Sequence, residues 1–174
     1  MDAISHIRWR GTVGSRGDAT SRLLVAGDVV LVSRGGHRRW LVFRCPSNCG
    51  EELPINLDAR AGPAWRLYNP GPSASLHPSV WRDSGCRVHF ILSRGRLWLF
   101  EQGGREWDYS GVDEDVKRTV CASLTSEGQN YFDIATMLDL EPWEVLRACR
   151  HLVRDGLAFE GRGQHSNCFG RRAP

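Results

Sequence analysis

The chain has 174 residues, of which 41% are hydrophobic and 25% are charged, with a formal net charge of +3. This length suits one or two small domains, each able to bury a modest core. No apolar run approaches the ~20 residues that a membrane helix needs, and the first residues lack the basic-then-apolar pattern of a signal peptide. We therefore expect a cytoplasmic protein without membrane association, whose six cysteines are reduced thiols or metal ligands.

The first hundred residues carry the patterns typical of β-strands. Alternating or β-branched runs are separated by turn residues such as Gly27-Asp28 and the Gly35-Gly36 loop. Strands are predicted in residues 6–10, 23–32, 39–44, 52–57, 63–68, 89–92 and 96–100. The sequence therefore predicts a mostly β domain over residues 1–108, built as a small barrel or a folded sheet.

Two short motifs in this domain have the spacing of metal ligands. Cys45-Pro-Ser-Asn-Cys49 follows a predicted strand, and Cys86-Arg-Val-His89 follows some forty residues later. Together, Cys45, Cys49, Cys86 and His89 supply the four soft or borderline ligands that tetrahedral zinc prefers. We favour structural zinc, and the alternative is three buried free cysteines beside a structural histidine.

A second unusual segment lies between these motifs. Ser75, His77 and Ser79 are spaced two apart, so in an extended segment their side chains project from one face. A serine nucleophile needs a neighbouring base, but His77 would point parallel to Ser79, which makes His89 the other candidate base. His89 cannot hold both roles, because zinc would then have three cysteines and a missing ligand. On the residues alone, the favoured interpretation is that the serines cap turns around the prolines.

The segments "SLHPS" and "GCRVHF", together with the run from Cys45 to Tyr68, resemble a bacterial domain family. Its genes lie beside ubiquitin-like modifiers and their activating and conjugating enzymes, and the resemblance covers mainly residues 27 to 100. It implies a serine peptidase that processes the modifier or removes it from conjugates. With this resemblance the catalytic and turn-capping interpretations of the serines become nearly equal. Ser79 is then the expected nucleophile, with His89 or His77 as base.

Beyond Gly111 the apolar period changes from two to 3.6, which predicts helices. A first helix follows the acids at 113–115, Asn130 is the expected N-cap of a second, and Pro142 opens a third. Two short strands around residues 157–160 and 168–169 follow. The pattern predicts a winged helix-turn-helix domain over residues 112–174, and so an α+β protein of two domains.

A winged helix suggests DNA binding through the third helix, with Arg147, Arg150 and Arg154 facing phosphates or bases. However, residues 112–174 contain ten acidic and eight basic residues, whereas non-specific DNA affinity needs an excess of cations. We therefore favour protein docking over nucleic acid. Two alternatives to the peptidase stay open: a non-catalytic zinc-binding adaptor for the modifier or its conjugating enzymes, and a DNA-binding regulator.

Overall fold

The computed structural model describes residues 6–100 and 111–172, which belong to two compact units, Met1–Glu106 and Trp107–Pro174. The domain boundary expected at residues 102 to 105 lies outside the described residues.

The described residues of the first unit form eight strands in two four-stranded sheets. The first sheet consists of Arg8–Val13 (β1), Asp28–Arg34 (β2), His37–Arg44 (β3) and Glu52–Asn56 (β4), in that order. The second consists of Arg66–Tyr68 (β5), Ser75–Trp81 (β6), His89–Ser93 (β7) and Arg96–Phe100 (β8), also in chain order. Within these two sheets β1 runs parallel to β2, and the other neighbouring strands are antiparallel.

Both sheets contribute to one hydrophobic core. Phe43 of β3 and Phe90 of β7 are fully buried there and meet edge to face, with ring centroids 5.3 Å apart. The opposite face of the first sheet is covered by a short helix, Arg16–Thr20 (α1), through Ala19. Since β2 and β3 are covered on both faces, their central residues 29–32 and 40–43 are continuously apolar. The structure thus has two sheets that share a core, where the sequence predicted a barrel or one folded sheet.

A buried carboxylate fixes the parallel pair of strands. Asp28 has no exposed surface, and its Oδ1 accepts hydrogen bonds from Arg8 Nε at 3.1 Å and Arg10 Nε at 2.9 Å. Its Oδ2 accepts from the backbone N–H groups of Leu24 and Val25, both at 2.9 Å. The sequence had indicated only a turn at this residue. The arrangement ties β1 to the start of β2 because a buried charge is stable only when it is paired and hydrogen-bonded.

The second unit has three helices and a small antiparallel sheet. Its elements are Glu114–Ser123 (α2), Gln129–Asn130 (β9), Tyr131–Leu138 (α3), Pro142–Arg154 (α4), Ala158–Glu160 (β10) and Cys168–Arg171 (β11), with sheet order β10-β11-β9. The predicted cap is confirmed, since Asn130 Oδ1 accepts from the N–H of Phe132 at 2.9 Å. Pro142 is the first residue of α4, as expected. Assignment of this unit to the winged-helix class stays a prediction.

The arginines of α4 are largely engaged within the unit. Arg147 is buried, with 8% of its surface exposed. Arg150 Nη2 lies 3.4 Å from Glu160 Oε1 and 3.2 Å from Asn167 Oδ1. Only Arg154 of the three has a mostly exposed side chain, at 67%. The described contacts therefore give little support to a helix that faces DNA with all three arginines.

Among the described residues, no helix is long and apolar enough to cross a membrane.

Candidate active site and cysteine centre

Strands β6 and β7 bring a serine and a histidine into contact. The antiparallel register pairs Val80 with Phe90 and Trp81 with His89. In this register the Oγ of Ser79 lies 3.2 Å from Nε2 of His89. A hydroxyl and an imidazole at hydrogen-bonding distance are the minimum that a serine nucleophile and its base require. Of the two candidate bases, His89 is the one that the structure places against Ser79.

Aromatic rings surround the imidazole of His89. The Phe100 ring lies 4.7 Å from it and the Trp81 ring 6.0 Å, measured between centroids. Burial lowers the pKa of His89 below its ordinary value, because the charged imidazolium loses solvation there. At neutral pH the ring is therefore neutral and able to accept a proton.

A tryptophan side chain holds the backbone of Ser79. Trp65, which packs against the core, donates a hydrogen bond from Nε1 to the carbonyl oxygen of Ser79 at 3.3 Å. The β6–β7 register is irregular between Leu76 and Val80. Ser79 therefore does not simply continue the alternation of the preceding residues.

Ser75 and His77 have surroundings different from those of Ser79. Ser75 is fully buried, and its Oγ accepts a hydrogen bond from the N–H of Arg94 at 2.8 Å. His77 pairs with Arg66 in the β5–β6 register. Burial, reinforced by the charge of Arg66, lowers the pKa of His77 to about 4. The one-face pattern predicted for these three residues therefore does not gather them into one site: Ser75 is structural, and Ser79 faces His89.

The acidic residues near the site have other partners. Glu51 forms an ion pair with Arg82, and Glu52 Oε2 accepts a hydrogen bond from Thr20 Oγ1 at 3.1 Å. In the described part of the chain, neither carboxylate hydrogen-bonds to His89. The described contacts thus define a serine–histidine pair.

A cavity of about 220 Å³ opens between β4 and β6. Trp65, Val80, Trp81 and Arg82 form part of its wall. Trp81 is 76% exposed although it is large and apolar. Exposed aromatic side chains beside a cleft are typical of binding surfaces. Sequence reasoning did not single out Trp81, and its position two residues after Ser79 is the only signal that could have indicated it.

The three cysteines of the predicted metal site come together. Cys45 ends the run from β3, Cys49 follows on the same turn, and Cys86 lies in the β6–β7 loop. Their sulfur atoms all lie within 4.8 Å of one another, and those of Cys45 and Cys86 are 3.7 Å apart. Neighbouring sulfurs in a tetrahedral zinc site lie about 3.8 Å apart, given Zn–S bonds of about 2.3 Å. The donor set and its spacing therefore fit a metal ion. His89, expected as the fourth ligand, is outside this group.

Burial and hydrogen bonds act in opposite directions on the ionisation of these thiols. Burial raises the pKa of the Cys45 thiol to about 11, although hydrogen bonds from Ser47 work in the opposite direction. Burial also opposes ionisation of Cys86, but hydrogen bonds from Ser47 and the Val88 N–H lower the pKa of that thiol to about 7. Metal binding requires the thiolate form, which these hydrogen bonds favour and burial opposes.

Comparison with protein families identifies a family for the part of the chain that holds both features. Residues 16–100 match the family described as bacterial ubiquitination-like system serine protease (BubE). This part of the chain is a BubE-family domain. The resemblance inferred from "SLHPS" and "GCRVHF" is thereby confirmed, and the BubE match contains Ser79, His89 and all three clustered cysteines. No curated protein and no solved structure matches the chain.

The second unit lies beyond the BubE match, which ends at residue 100. The family description, a serine protease of a bacterial ubiquitination-like system, thus applies to the β-sheet unit alone. Within that unit, the Ser79–His89 contact is the one described pairing that suits this chemistry.

Proposed function

We propose that the BubE-family domain is a serine peptidase that processes a bacterial ubiquitin-like modifier or releases it from conjugates. The observation that carries this proposal is the 3.2 Å contact between Ser79 Oγ and His89 Nε2. The family description supplies the class of enzyme and the pathway. The modifier and its activating and conjugating enzymes are the proposed partners.

The chemistry follows from the protonation state of His89. Its neutral ring accepts the proton of the Ser79 hydroxyl at Nε2 while Oγ attacks the scissile carbonyl carbon. The imidazolium then gives this proton to the leaving amine, and an acyl-enzyme on Ser79 forms. Water, deprotonated by the same nitrogen, hydrolyses the acyl-enzyme and regenerates the hydroxyl. The hydrogen bond from Trp65 to the Ser79 carbonyl positions the nucleophile throughout.

Substrate binding is assigned to the surface around Trp81. Trp81 is exposed and follows Ser79 by two residues on β6, and it forms part of the cavity wall. An extended tail of the modifier could pack there with its scissile bond next to Ser79. Aromatic side chains supply large contact areas at a small cost in conformational entropy, which suits recognition of a flexible tail.

Zinc is proposed as a structural ion held by Cys45, Cys49 and Cys86. Two of these cysteines lie between β3 and β4 of the first sheet, and the third lies between β6 and β7 of the second. Zinc would supply a cross-link between the two sheets at the end where the Ser79–His89 pair lies. The sulfur atoms would then fix the loop that leads into His89.

The direct test uses a fluorophosphonate, which phosphonylates an activated serine with loss of fluoride. Peptide mass spectrometry should locate the adduct on Ser79, and Ser79→Ala and His89→Ala should remove it. In parallel, a ubiquitin-like protein from such a system, extended at its C-terminus, should lose the extension. An unlabelled Ser79 together with an intact modifier would overturn the proposal, and a stable complex without cleavage would identify an adaptor instead.

A further inference from the structure

The cysteine centre has three sulfur donors, whereas structural zinc is almost always bound by four ligands. The residue expected to be the fourth, His89, directs Nε2 to Ser79. In the described part of the chain, the group of potential metal-ligating side chains at this centre contains only Cys45, Cys49 and Cys86. The remaining donor has to come from another residue type or from solvent.

A serine hydroxyl occupies the space next to these sulfur atoms. Ser47 lies between Cys45 and Cys49 on the same turn, and its Oγ is 3.1 Å from the Cys45 sulfur. The Cys45 sulfur in turn lies 3.7 Å from that of Cys86, which belongs to the other loop. The hydroxyl therefore lies at the edge of the sulfur cluster, where a fourth donor is needed.

The distances can be compared with those of a bound ion. With a Zn–S bond of about 2.3 Å and a Zn–O bond of about 2.1 Å, tetrahedral angles place oxygen and sulfur about 3.6 Å apart. Ser47 Oγ would have to move away from Cys45 by only about 0.5 Å to reach that separation, within the range of a side-chain rotation. The side chain is exposed, so packing does not oppose this movement.

Glu51 is the competing donor from the protein. One of its carboxylate oxygens lies 3.9 Å from the Cys49 sulfur. However, the same oxygen is ion-paired with Arg82, and the carboxylate is not part of the group whose donor atoms lie within 4.8 Å of one another. Arg82 Nη1 also lies 4.0 Å from the Cys86 sulfur. Glu51 is therefore better placed to hold Arg82 beside the thiolates than to bind the ion.

We propose that the Ser47 hydroxyl is the fourth zinc ligand, which makes the centre a three-cysteine, one-serine site. The proposal rests on the zinc part of the proposed function. Three thiolates, a neutral hydroxyl and Zn²⁺ carry a net charge of −1, and the guanidinium of Arg82 next to Cys86 opposes this charge. A hydroxyl is a weaker ligand than a thiolate, so the fourth position exchanges more readily than the other three.

Cobalt substitution tests this assignment, because the sulfur-to-cobalt charge-transfer absorption reports the number of thiolates. Purified full-length protein and variants are stripped of metal and titrated with Co²⁺, then with Zn²⁺ in competition. The wild type should show a tetrahedral three-thiolate spectrum. Ser47→Cys should raise the charge-transfer intensity by about one-third and tighten binding, since a fourth thiolate joins the site. Ser47→Ala should weaken binding by about tenfold or more.

Two matched variants serve as controls. Ser84→Ala removes another exposed loop hydroxyl near Cys86, and Glu51→Gln removes the competing carboxylate. Both should retain the wild-type cobalt spectrum. Unchanged affinity in Ser47→Ala, loss of the spectrum in Glu51→Gln, or a wild type that takes up no cobalt would each overturn the assignment. Fluorophosphonate labelling of Ser79 needs no metal readout, so failure here is distinguishable from failure of the peptidase proposal.

Discussion

Two serines on strand β6 allow catalysis to be separated from stability. Ser79 is half-buried and contacts His89, whereas Ser75 is fully buried and accepts a hydrogen bond from the Arg94 N–H. Alanine at either position removes one oxygen from the same strand. The two variants should therefore have opposite phenotypes.

The expected magnitudes follow from these contacts. Ser79→Ala removes the nucleophile and should reduce kcat/KM for modifier cleavage at least about 10³-fold, which corresponds to about 4 kcal/mol of transition-state stabilisation. Its effect on the free energy of unfolding should be below about 1 kcal/mol, because the hydroxyl is not needed by a buried backbone group. Ser75→Ala leaves the Arg94 N–H without its acceptor, which should cost about 1–3 kcal/mol.

The assay combines cleavage kinetics with thermal unfolding of both variants. Ser75→Ala should lower Tm by about 4–8 °C for each kcal/mol lost, in a unit of this size. At a temperature well below its Tm, it should cleave the modifier within a few-fold of the wild-type rate. The reasoning would be refuted if Ser79→Ala kept its activity, or if Ser75→Ala lost activity while it remained as stable as the wild type.

Three further outcomes are expected. First, kcat/KM should rise with pH and level off with a midpoint below about 6.5. Burial lowers the pKa of His89, the proposed base, and only its neutral form accepts a proton. A midpoint above that value would contradict this role. Second, chelation of zinc, or Cys45→Ser, should lower Tm in calorimetry, since zinc at 1,000 times its Kd stabilises the fold by about 4 kcal/mol; equal Tm values with and without chelator would argue against a structural metal. Third, Trp81→Ala should raise KM, because the indole belongs to the proposed binding surface. Fluorophosphonate labelling and Tm should change little, because the indole is 76% exposed. An unchanged KM would remove Trp81 from the binding surface.

Local patterns were enough to predict most strands and helix caps. The apolar hairpin around Gly95 and the cap at Asn130 depend on neighbouring residues, and both are present in the structure. The helix α1 was missed because five residues are too few to show a helical period. The pairing of two sheets around Phe43 and Phe90 depends on contacts between residues far apart in sequence, which periodicity does not encode.

The candidate site shows the same division. The spacing of Cys45, Cys49 and Cys86 was sufficient to predict that their sulfurs meet. The sequence named Ser79 and the metal as alternative partners of His89 but could not choose between them, because a Cys-x-x-His motif fits either a metal ligand or a strand residue. The β6–β7 register decides between these by placing His89 opposite Trp81 and close to Ser79. Register is a tertiary property, so it had to be observed.

The short turn from Cys86 to His89 links the two proposed sites thermodynamically. Cys86 begins it, Arg87 adopts a left-handed backbone conformation with φ of 51°, and His89 ends it. In the proposed enzyme, an ion that holds Cys86 also restricts the position of His89. Coupling between two binding events is reciprocal, so any factor by which zinc improves modifier affinity is also the factor by which bound modifier raises zinc affinity. An enzyme occupied with its substrate would therefore retain more of its metal under zinc scarcity than an idle one.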